Sequence, residues 1–188
     1  MTLERDASCA TASLHERGLV FRRFAPADLP AIDVQPAQAW MTPSFDTDYA
    51  DELTAAGPCF TFARPDGLVV FIGGAVPFMP GAALAWSFIS EAAGPHMLEI
   101  TRRSRAFFDR LPVERIECAV ETGHTEGHRW ARLLGFRVDL DFVTMWLCDR
   151  PHTLYARPGA LKQRSGSATG IGAGMAENRT EQEAGHGA

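Results

Sequence analysis

The sequence lacks the features that would direct a chain to a membrane, a secretory pathway or a nucleic acid. It has no apolar run of about 18 residues or more, so no segment is predicted to span a bilayer. The N-terminal residues Met-Thr-Leu-Glu-Arg-Asp are charged and precede no apolar stretch, so no secretory signal is predicted there. The formal net charge of −5 offers no basic field for nucleic acid. We therefore expect a cytoplasmic protein that binds no nucleic acid.

Several motifs that would identify an enzyme are also missing. The sequence has no G-x-S-x-G, no P-loop and no G-x-G-x-x-G motif that follows a strand, which leaves hydrolase, nucleotidase and dinucleotide-binding predictions unsupported. His124 and His128 have the spacing of two metal ligands on one helical turn, but no third ligand lies near them, and no metal site is predicted. The four cysteines form no C-x-x-C pair, and three lie in apolar runs, which favours buried free thiols over a disulfide framework.

What the chain does contain is enough apolar material for one folded domain. Of its 188 residues, 46% are apolar and 22% are charged. Residues 1–16 are polar and small, and we predict a flexible N-terminus there. Beyond residue 158, Gly, Ser, Ala, Thr and Glu dominate, and such a segment buries too little surface to offset its chain entropy. The prediction is a folded domain over residues 17–157 and a disordered tail over 158–188.

The periodicity of the apolar residues predicts a mixture of strands and helices. Strands are predicted over residues 19–24, 59–64, 68–76, 83–90, 116–120 and 137–147, with a last edge strand over 153–156. A short helix and an irregular arm are predicted over 26–40, and one or two helical turns over 49–56. A longer helix opens at Gly94-Pro95 and ends before Pro112, and another covers 125–134, with Gly135 as its left-handed C-cap.

This order of elements resembles the GNAT (GCN5-related N-acetyltransferase) superfamily over about residues 18–150. The most similar segment, 115–136, is a strand, a turn and an amphipathic helix that stops at Leu-Gly-Phe. The resemblance implies an α/β (α+β) acyl-CoA N-acyltransferase fold, with a mixed central sheet of about six or seven strands flanked by helices. It further implies that the fourth and fifth strands splay apart, and that the pantetheine arm of acetyl-CoA lies between them.

In the family, the loop after the fourth strand holds the pyrophosphate of acetyl-CoA at a helix N-terminus. Within residues 91–96 only Gly94 fits the family pattern. Glu91 brings negative charge to the phosphates, Pro95 has no N–H to donate, and His96 adds a side chain at a close approach. The resemblance thus implies a weakened acetyl-CoA site, made by the backbone of Phe88, Ile89 and Ser90 at the thioester carbonyl, and by Gly94, His96, Met97, Arg102 and Arg103 at the phosphates.

The second family motif departs further from its pattern. The tyrosine that often protonates the leaving thiolate would lie at Ala131, which has no proton to donate, and the family's asparagine would lie at His124. An enzyme of this type also needs a base for the amine. We predict Glu121 and His124, at the C-terminal end of the fifth strand, as the catalytic residues, with Glu91 and His128 as further candidates. The alternative, that these residues have no catalytic role and only begin a helix or face solvent, remains open.

An apolar residue at the tyrosine position and a poor glycine loop resemble one narrower group, the GNAT-like branch of the internal virion proteins of T7-like phages. The run over residues 122–130 is similar to that group as well. Two functions therefore stay open. The chain is either an acyl-CoA-dependent N-acyltransferase, phage-type and weakly active, acting on a small-molecule or protein amine, or a non-catalytic virion or assembly protein that contacts other phage proteins. Trp40, on the irregular arm, is the aromatic residue predicted to line a substrate groove.

Overall fold

The computed structural model describes residues 18–139, 144–147 and 149–163. Residues 1–16 and 164–188, which hold the predicted flexible N-terminus and most of the predicted tail, lie outside the described residues. The described strands are β1 Val20–Arg23, β2 Cys59–Ala63, β3 Val69–Met79, β4 Ala82–Ile89, β5 Arg115–Glu121, β6 Arg137–Val138, β7 Thr144–Leu147 and β8 Arg150–Pro158. The helices are α1 Asp28–Ala31, α2 Thr47–Ala56, α3 Met97–Phe108 and α4 Thr125–Leu133, with 3-10 helices over Pro36–Ser44 and Glu91–His96.

The strands form one mixed sheet in the order β1-β2-β3-β4-β5-β8-β6, and β7 also pairs with β8. Neighbouring strands are antiparallel except β4 and β5, which are parallel. The prediction of an α/β fold with a mixed central sheet flanked by helices is therefore confirmed. The parallel pair requires a crossover, and α3 supplies it.

The prediction of a short edge strand near the C-terminal end of the domain is wrong. β8 lies inside the sheet, where it pairs with β5 over seven residues from Arg115↔Pro158 to Glu121↔His152. Because both of its neighbours are strands, β8 is largely buried, and Tyr155 at its centre is 1% exposed. The polar residues at its start concealed this position, since alternation alone does not distinguish an edge strand from an inserted one.

The described residues continue past residue 157, the predicted end of the folded domain, as far as residue 163. Three backbone N–H groups beyond β8 donate to carbonyl oxygens in the segment between α3 and β5: Gly159 to Glu114 at 2.8 Å, Ala160 to Leu111 at 3.2 Å, and Leu161 to Val113 at 3.1 Å. These bonds satisfy the backbone of a segment whose side chains bury little surface.

The two faces of the sheet are covered by different parts of the chain. Before β2, α1 and α2 pack on one face, where the core contains Leu29, Ala50, Leu53, Ile72 and Phe88. After β4, α3 and α4 pack on the other face, with a core that includes Ile100, Phe108, Ala131, Leu134 and Phe136. We call these the arm face and the helix face.

The connection from β4 to α3 differs from the prediction, which opened the helix at Gly94-Pro95. A 3-10 helix over Glu91–His96 comes first, because Ser90 caps it: its Oγ accepts a hydrogen bond from the Ala92 N–H at 3.2 Å. The α-helix then begins at Met97, whose N–H donates to the Gly94 carbonyl. The prediction for Gly135 is confirmed, since it adopts a φ of 89° at the C-terminal end of α4.

The arm is anchored to the sheet by a buried carboxylate. Asp28 accepts hydrogen bonds from Arg22 at 2.6 and 2.5 Å, from the Ala25 N–H at 2.9 Å and from the Thr61 hydroxyl at 2.8 Å. Burial by itself raises the pKa of Asp28, but these hydrogen bonds and the Arg22 charge bring it below its ordinary value. The start of α1 is thereby fixed against β1 and β2.

Candidate functional site

The two parallel strands at the centre of the sheet separate as they run toward their C-terminal ends. β4 and β5 pair only over Ala82↔Arg115, Ala83↔Ile116 and Leu84↔Glu117, although β4 continues to Ile89 and β5 to Glu121. The wedge-shaped gap that the resemblance implies is therefore present. Such a gap leaves the facing backbone groups of both strands without strand partners, so something else must satisfy them.

A cavity of about 430 Å³ occupies this wedge, a volume within the range of small-molecule sites. Its lining is mostly apolar and comes from both faces of the sheet. On the arm face it is lined by Trp40, Met41, Tyr49, Trp86, Glu121 and His152. On the helix face it is lined by Phe71, Phe108, Cys118, Ala131, Leu134 and Phe136. The wedge thus connects two faces that a continuous sheet would separate, and Trp40 lines the cavity as predicted.

Part of the open edge of β4 is closed by one side chain of the arm. The Ile89 N–H donates to Gln38 Oε1 at 2.9 Å, and Gln38 Nε2 donates to the Ser87 carbonyl at 2.7 Å. The amide group of Gln38 thus pairs with β4 much as a neighbouring strand would. The glutamine satisfies the same backbone groups that a ligand lying in the wedge would meet.

Among the three residues predicted to polarise a thioester carbonyl, Ile89 is the one whose amide faces the wedge. The Ser90 N–H donates to the Val70 carbonyl at 3.0 Å, and Phe88 pairs with Ile72 of β3 in the same register. The N–H groups of Phe88 and Ser90 therefore point toward β3. An oxyanion contact from this edge rests on Ile89, after Gln38 releases it.

The structure brings both predicted catalytic residues to the cavity. Glu121 Oε1 accepts a hydrogen bond from Arg150 Nη1 at 2.7 Å, and the Arg150 guanidinium lies 5.2 Å from the centre of the Trp40 ring. His124 lines the cavity beside α4, and its Nδ1 lies 3.6 Å from a carboxylate oxygen of Glu126. Because Glu121 faces the arm and His124 packs on α4, the two lie on different sides of the wedge.

Gly127 makes room for the His124 ring. A Cβ atom at position 127 would lie 2.4 Å from His124 Cδ2 and 2.9 Å from a methyl carbon of Val120. Any larger residue would therefore push α4 away from β5 or displace the histidine. The glycine in Thr-Glu-Gly-His is explained by this close approach.

His152 is a site residue that the sequence did not identify. It is 6% exposed, lines the cavity, and lies directly opposite Glu121 in the β5–β8 register, on the same face. Its Nδ1 lies 2.9 Å from the Arg150 carbonyl oxygen. Since a carbonyl only accepts, Nδ1 must carry the proton, and in the neutral ring Nε2 holds a lone pair. The part of the chain that the structure describes gives Nε2 no hydrogen bond. The unrecognised strand register concealed this residue.

His128, the other histidine of the motif, has both ring nitrogens engaged. Nε2 donates to the Thr122 carbonyl at 3.0 Å, and Nδ1 lies 2.9 Å from the hydroxyl oxygen of Tyr155. It fastens the start of α4 to β5 and β8, and lines neither cavity described here. Within the described residues no group of three or more His, Cys, Asp or Glu side chains is arranged to hold a metal ion. Nor is any described helix long and apolar enough to cross a membrane.

A second cavity of about 340 Å³ lies beside the first, between the 3-10 helix Glu91–His96 and the start of α4. Gly94 and Met97, two of the predicted phosphate contacts, line it together with Ser90, and so do the carboxylate residues Glu91 and Glu126. No described lysine or arginine contributes to this lining. The site is therefore poorly matched to a pyrophosphate in its present arrangement.

The remaining predicted phosphate contacts lie away from this cavity. His96 is half-buried, and Arg102 and Arg103 are exposed. None of the three lines either cavity. Arg103 forms an ion pair with Glu99 at 3.1 Å, and its guanidinium lies 5.5 Å from the centre of the Phe21 ring. A phosphate contact from either arginine requires its side chain to turn toward the loop.

The position of the missing tyrosine lies inside the first cavity. Ala131 is 3% exposed and faces the wedge from α4, across from Cys118 on β5. Burial, together with the nearby charge of Glu117, raises the pKa of Cys118 to about 12. The helix-face part of the cavity is therefore a weakly polar environment in which no described tyrosine replaces the absent acid.

The mixed sheet with its open wedge has the GNAT fold. No protein-family model matches the chain, and no curated protein matches it. Solved structures do. The structure of a spermidine N-acetyltransferase SpeG chimera from Vibrio cholerae and hSSAT is 15% identical, with a TM-score of 0.57, and the match covers 77% of this chain and 98% of that one.

Two further matches have the same character. The yncA protein of Salmonella typhimurium, whose structure contains acetyl-CoA as its cofactor, is 14% identical with a TM-score of 0.58, over 75% of this chain and 94% of that one. An N-acetyltransferase from Staphylococcus aureus Mu50 is 12% identical with a TM-score of 0.57, over 75% and 98% of the two chains. At these identities the comparisons establish the shared fold, and the chemistry has to be argued from the site.

Proposed function

We propose that the protein is an acyl-CoA-dependent N-acyltransferase, which transfers an acyl group from a thioester to the amine of a small molecule or a protein. The observation that carries this proposal is the open wedge between β4 and β5, with a cavity reaching both faces of the sheet. Two substrates that approach from opposite faces meet there. The acetyl-CoA in the structure of yncA, which has the same fold, supports the assignment of the thioester.

The apolar wedge suits the pantetheine arm better than the loop suits the phosphates. The pantetheine arm of CoA would lie between β4 and β5 on the helix face, against Cys118 and Ala131. The 3-10 helix Glu91–His96 and the start of α3 would meet the pyrophosphate. Glu91 and Glu126 raise the free energy of phosphate binding at that end. The proposed acyl-CoA site is therefore weak, and most of its affinity comes from the pantetheine arm and the acyl group of the ligand.

The acceptor amine would enter from the arm face, beside Trp40. His152 Nε2, with its lone pair, accepts the amine proton as the amine nitrogen bonds to the carbonyl carbon, and the Ile89 N–H stabilises the oxyanion that forms. When the tetrahedral intermediate collapses, the carbon–sulfur bond breaks and the sulfur leaves with the electron pair. The proton on His152 is then available to the thiolate, directly or through water, since Ala131 supplies none.

A second candidate function is supported by the second cavity and by Gln38. Glu91 and Glu126 lie where the phosphates of CoA would bind, and Gln38 occupies the backbone groups of β4 that would meet the ligand. Both features are expected of a protein that kept the fold but does not bind CoA. In that case the chain is a non-catalytic structural protein, such as the phage virion or assembly component suggested by the sequence. Ala131 is compatible with both functions.

Calorimetry with acetyl-CoA separates the two functions. The proposed function predicts saturable binding of acetyl-CoA, together with release of CoA when a panel of primary amines is added. Desulfo-CoA lacks the thiol and therefore any acyl group, so it is the control for the contribution of the thioester. If neither acetyl-CoA nor CoA gives heat or a shift in melting temperature at millimolar concentration, the acyltransferase proposal is wrong and the structural role is favoured.

A further inference from the structure

The helix-face part of the wedge cavity reaches from the wedge into the hydrophobic core. Its walls include Phe108, Leu134 and Phe136, which are 5%, 3% and 2% exposed and belong to the core rather than to the surface. The cavity therefore runs inward along β4, toward the end where β4 and β5 are paired at Ala82 to Leu84. A methyl group at the wedge would leave this inner part unfilled.

Small side chains create the space. Ala85 of β4 and Ala131 of α4 are both buried and both line the cavity, with bulky aromatic residues on either side of them. The Cα of Gly73 lies opposite Ser87 in the β3–β4 register, and a Cβ there would come within 2.7 Å of the Phe71 ring, so a side chain on Gly73 would press on the lining. Three positions around the cavity thus carry one side-chain carbon or none.

The inner part of the cavity is also apolar. The pKa of the Cys118 thiol, raised by burial, indicates the same low polarity as the lining residues do. Apolar cavities of this kind stay dry and bind apolar guests, because water finds too few hydrogen-bond partners there. The cavity is continuous with the wedge, so the group best placed to enter is one attached to the thioester itself.

We infer that the acyl donor carries a medium-length apolar acyl chain rather than an acetyl group, and that this chain lies in the inner cavity against Ala131, Phe108 and Phe136. The inference rests on the proposed function and specifies its substrate class. Alanine instead of a bulky side chain at position 131 then has a positive role, because it opens the pocket for the acyl chain, which we call the chain pocket. The chain pocket also offsets the poor phosphate site, since each buried methylene adds about fourfold in affinity.

Binding of a chain-length series tests the inference without any acceptor amine. Acetyl-, butanoyl- and octanoyl-CoA are titrated into the full-length protein by calorimetry. We expect octanoyl-CoA to bind at least about tenfold more tightly than acetyl-CoA, with butanoyl-CoA between them, because only part of the added chain is fully buried. Saturable acetyl-CoA binding with no gain along the series overturns the chain pocket and leaves the acyltransferase proposal standing. No binding of any ester overturns both.

Two substitutions in α4 locate the pocket. Ala131→Phe fills the inner cavity, and we expect it to abolish the preference for octanoyl-CoA, read as the ratio of the octanoyl-CoA and acetyl-CoA dissociation constants within the variant. Leu133→Phe is the matched control, because residue 133 is 55% exposed on the outer side of the same helix, and there the preference is expected to persist. If Ala131→Phe unfolds the protein, Ala131→Leu gives a smaller filling. A preference that survives the filling of position 131 in a folded variant refutes the assignment.

Discussion

His152 gives a sharp test of the proposed chemistry, because one substitution separates its structural hydrogen bond from its catalytic nitrogen. Asparagine at this position places an N–H where Nδ1 lies, so the bond to the Arg150 carbonyl is kept, but nothing replaces Nε2. A positioned general base contributes about 10²- to 10⁴-fold to the rate. We therefore expect His152→Asn to lower the rate of acyl transfer by about 10²-fold or more, with acyl-CoA binding unchanged.

The assay is release of CoA, followed with a thiol reagent, using the best amine from the panel. Glu121→Gln is the comparison, since Glu121 lies opposite His152 and is bound by Arg150. If His152→Asn keeps the wild-type rate while Glu121→Gln loses activity, Glu121 is the base and the role given to His152 is wrong.

Three further predictions concern stability, reactivity and the β4 edge. Asp28→Asn should lower the free energy of unfolding by about 1–3 kcal/mol at pH 7, a modest loss because the partner Arg22 is partly exposed. Since the folded pKa of Asp28 is lowered, the difference between wild type and variant in urea unfolding should shrink below about pH 3.9, and a difference that stays constant with pH would contradict this. With a pKa of about 12, Cys118 is about one part in 10⁴ thiolate at pH 8, so peptide mass spectrometry should find it labelled by iodoacetamide far more slowly than an exposed thiol, and equal rates would refute the raised pKa. Gln38→Ala should tighten acyl-CoA binding in calorimetry by freeing the Ile89 N–H, whereas weaker binding would show that Gln38 contacts the ligand.

Local patterns in the sequence were sufficient for most of the fold. The apolar periodicity of α3 and the stop at Gly135 are signals carried within a few neighbouring residues, and the structure contains both features. The opening between β4 and β5 was expected from the family resemblance, since no local pattern marks the residue at which two strands separate. The start of α3 was misplaced, because the cap at Ser90 competes with the more conspicuous Gly94-Pro95.

Parts of the candidate site were predictable for the same reason, and parts were not. Glu121 and His124 end a strand and begin a helix, so their nearness to the wedge follows from local structure. His152 and Gln38 reach the wedge from elements that are distant in sequence, through the β5–β8 register and through the fold of the arm. No spacing within the chain encodes either position, because both depend on which strands become neighbours.

The sequence by itself determined the order of strands and helices, the absence of a tyrosine at position 131 and the acidic character of the loop after β4, since these are properties of residues and of their near neighbours. Only the tertiary structure decided that β8 enters the sheet beside β5, that Gln38 caps β4, and that the space at Ala131 joins a cavity among core aromatic residues. Backbone pairing and close packing bring together groups that lie far apart along the chain, and both depend on the whole fold at once.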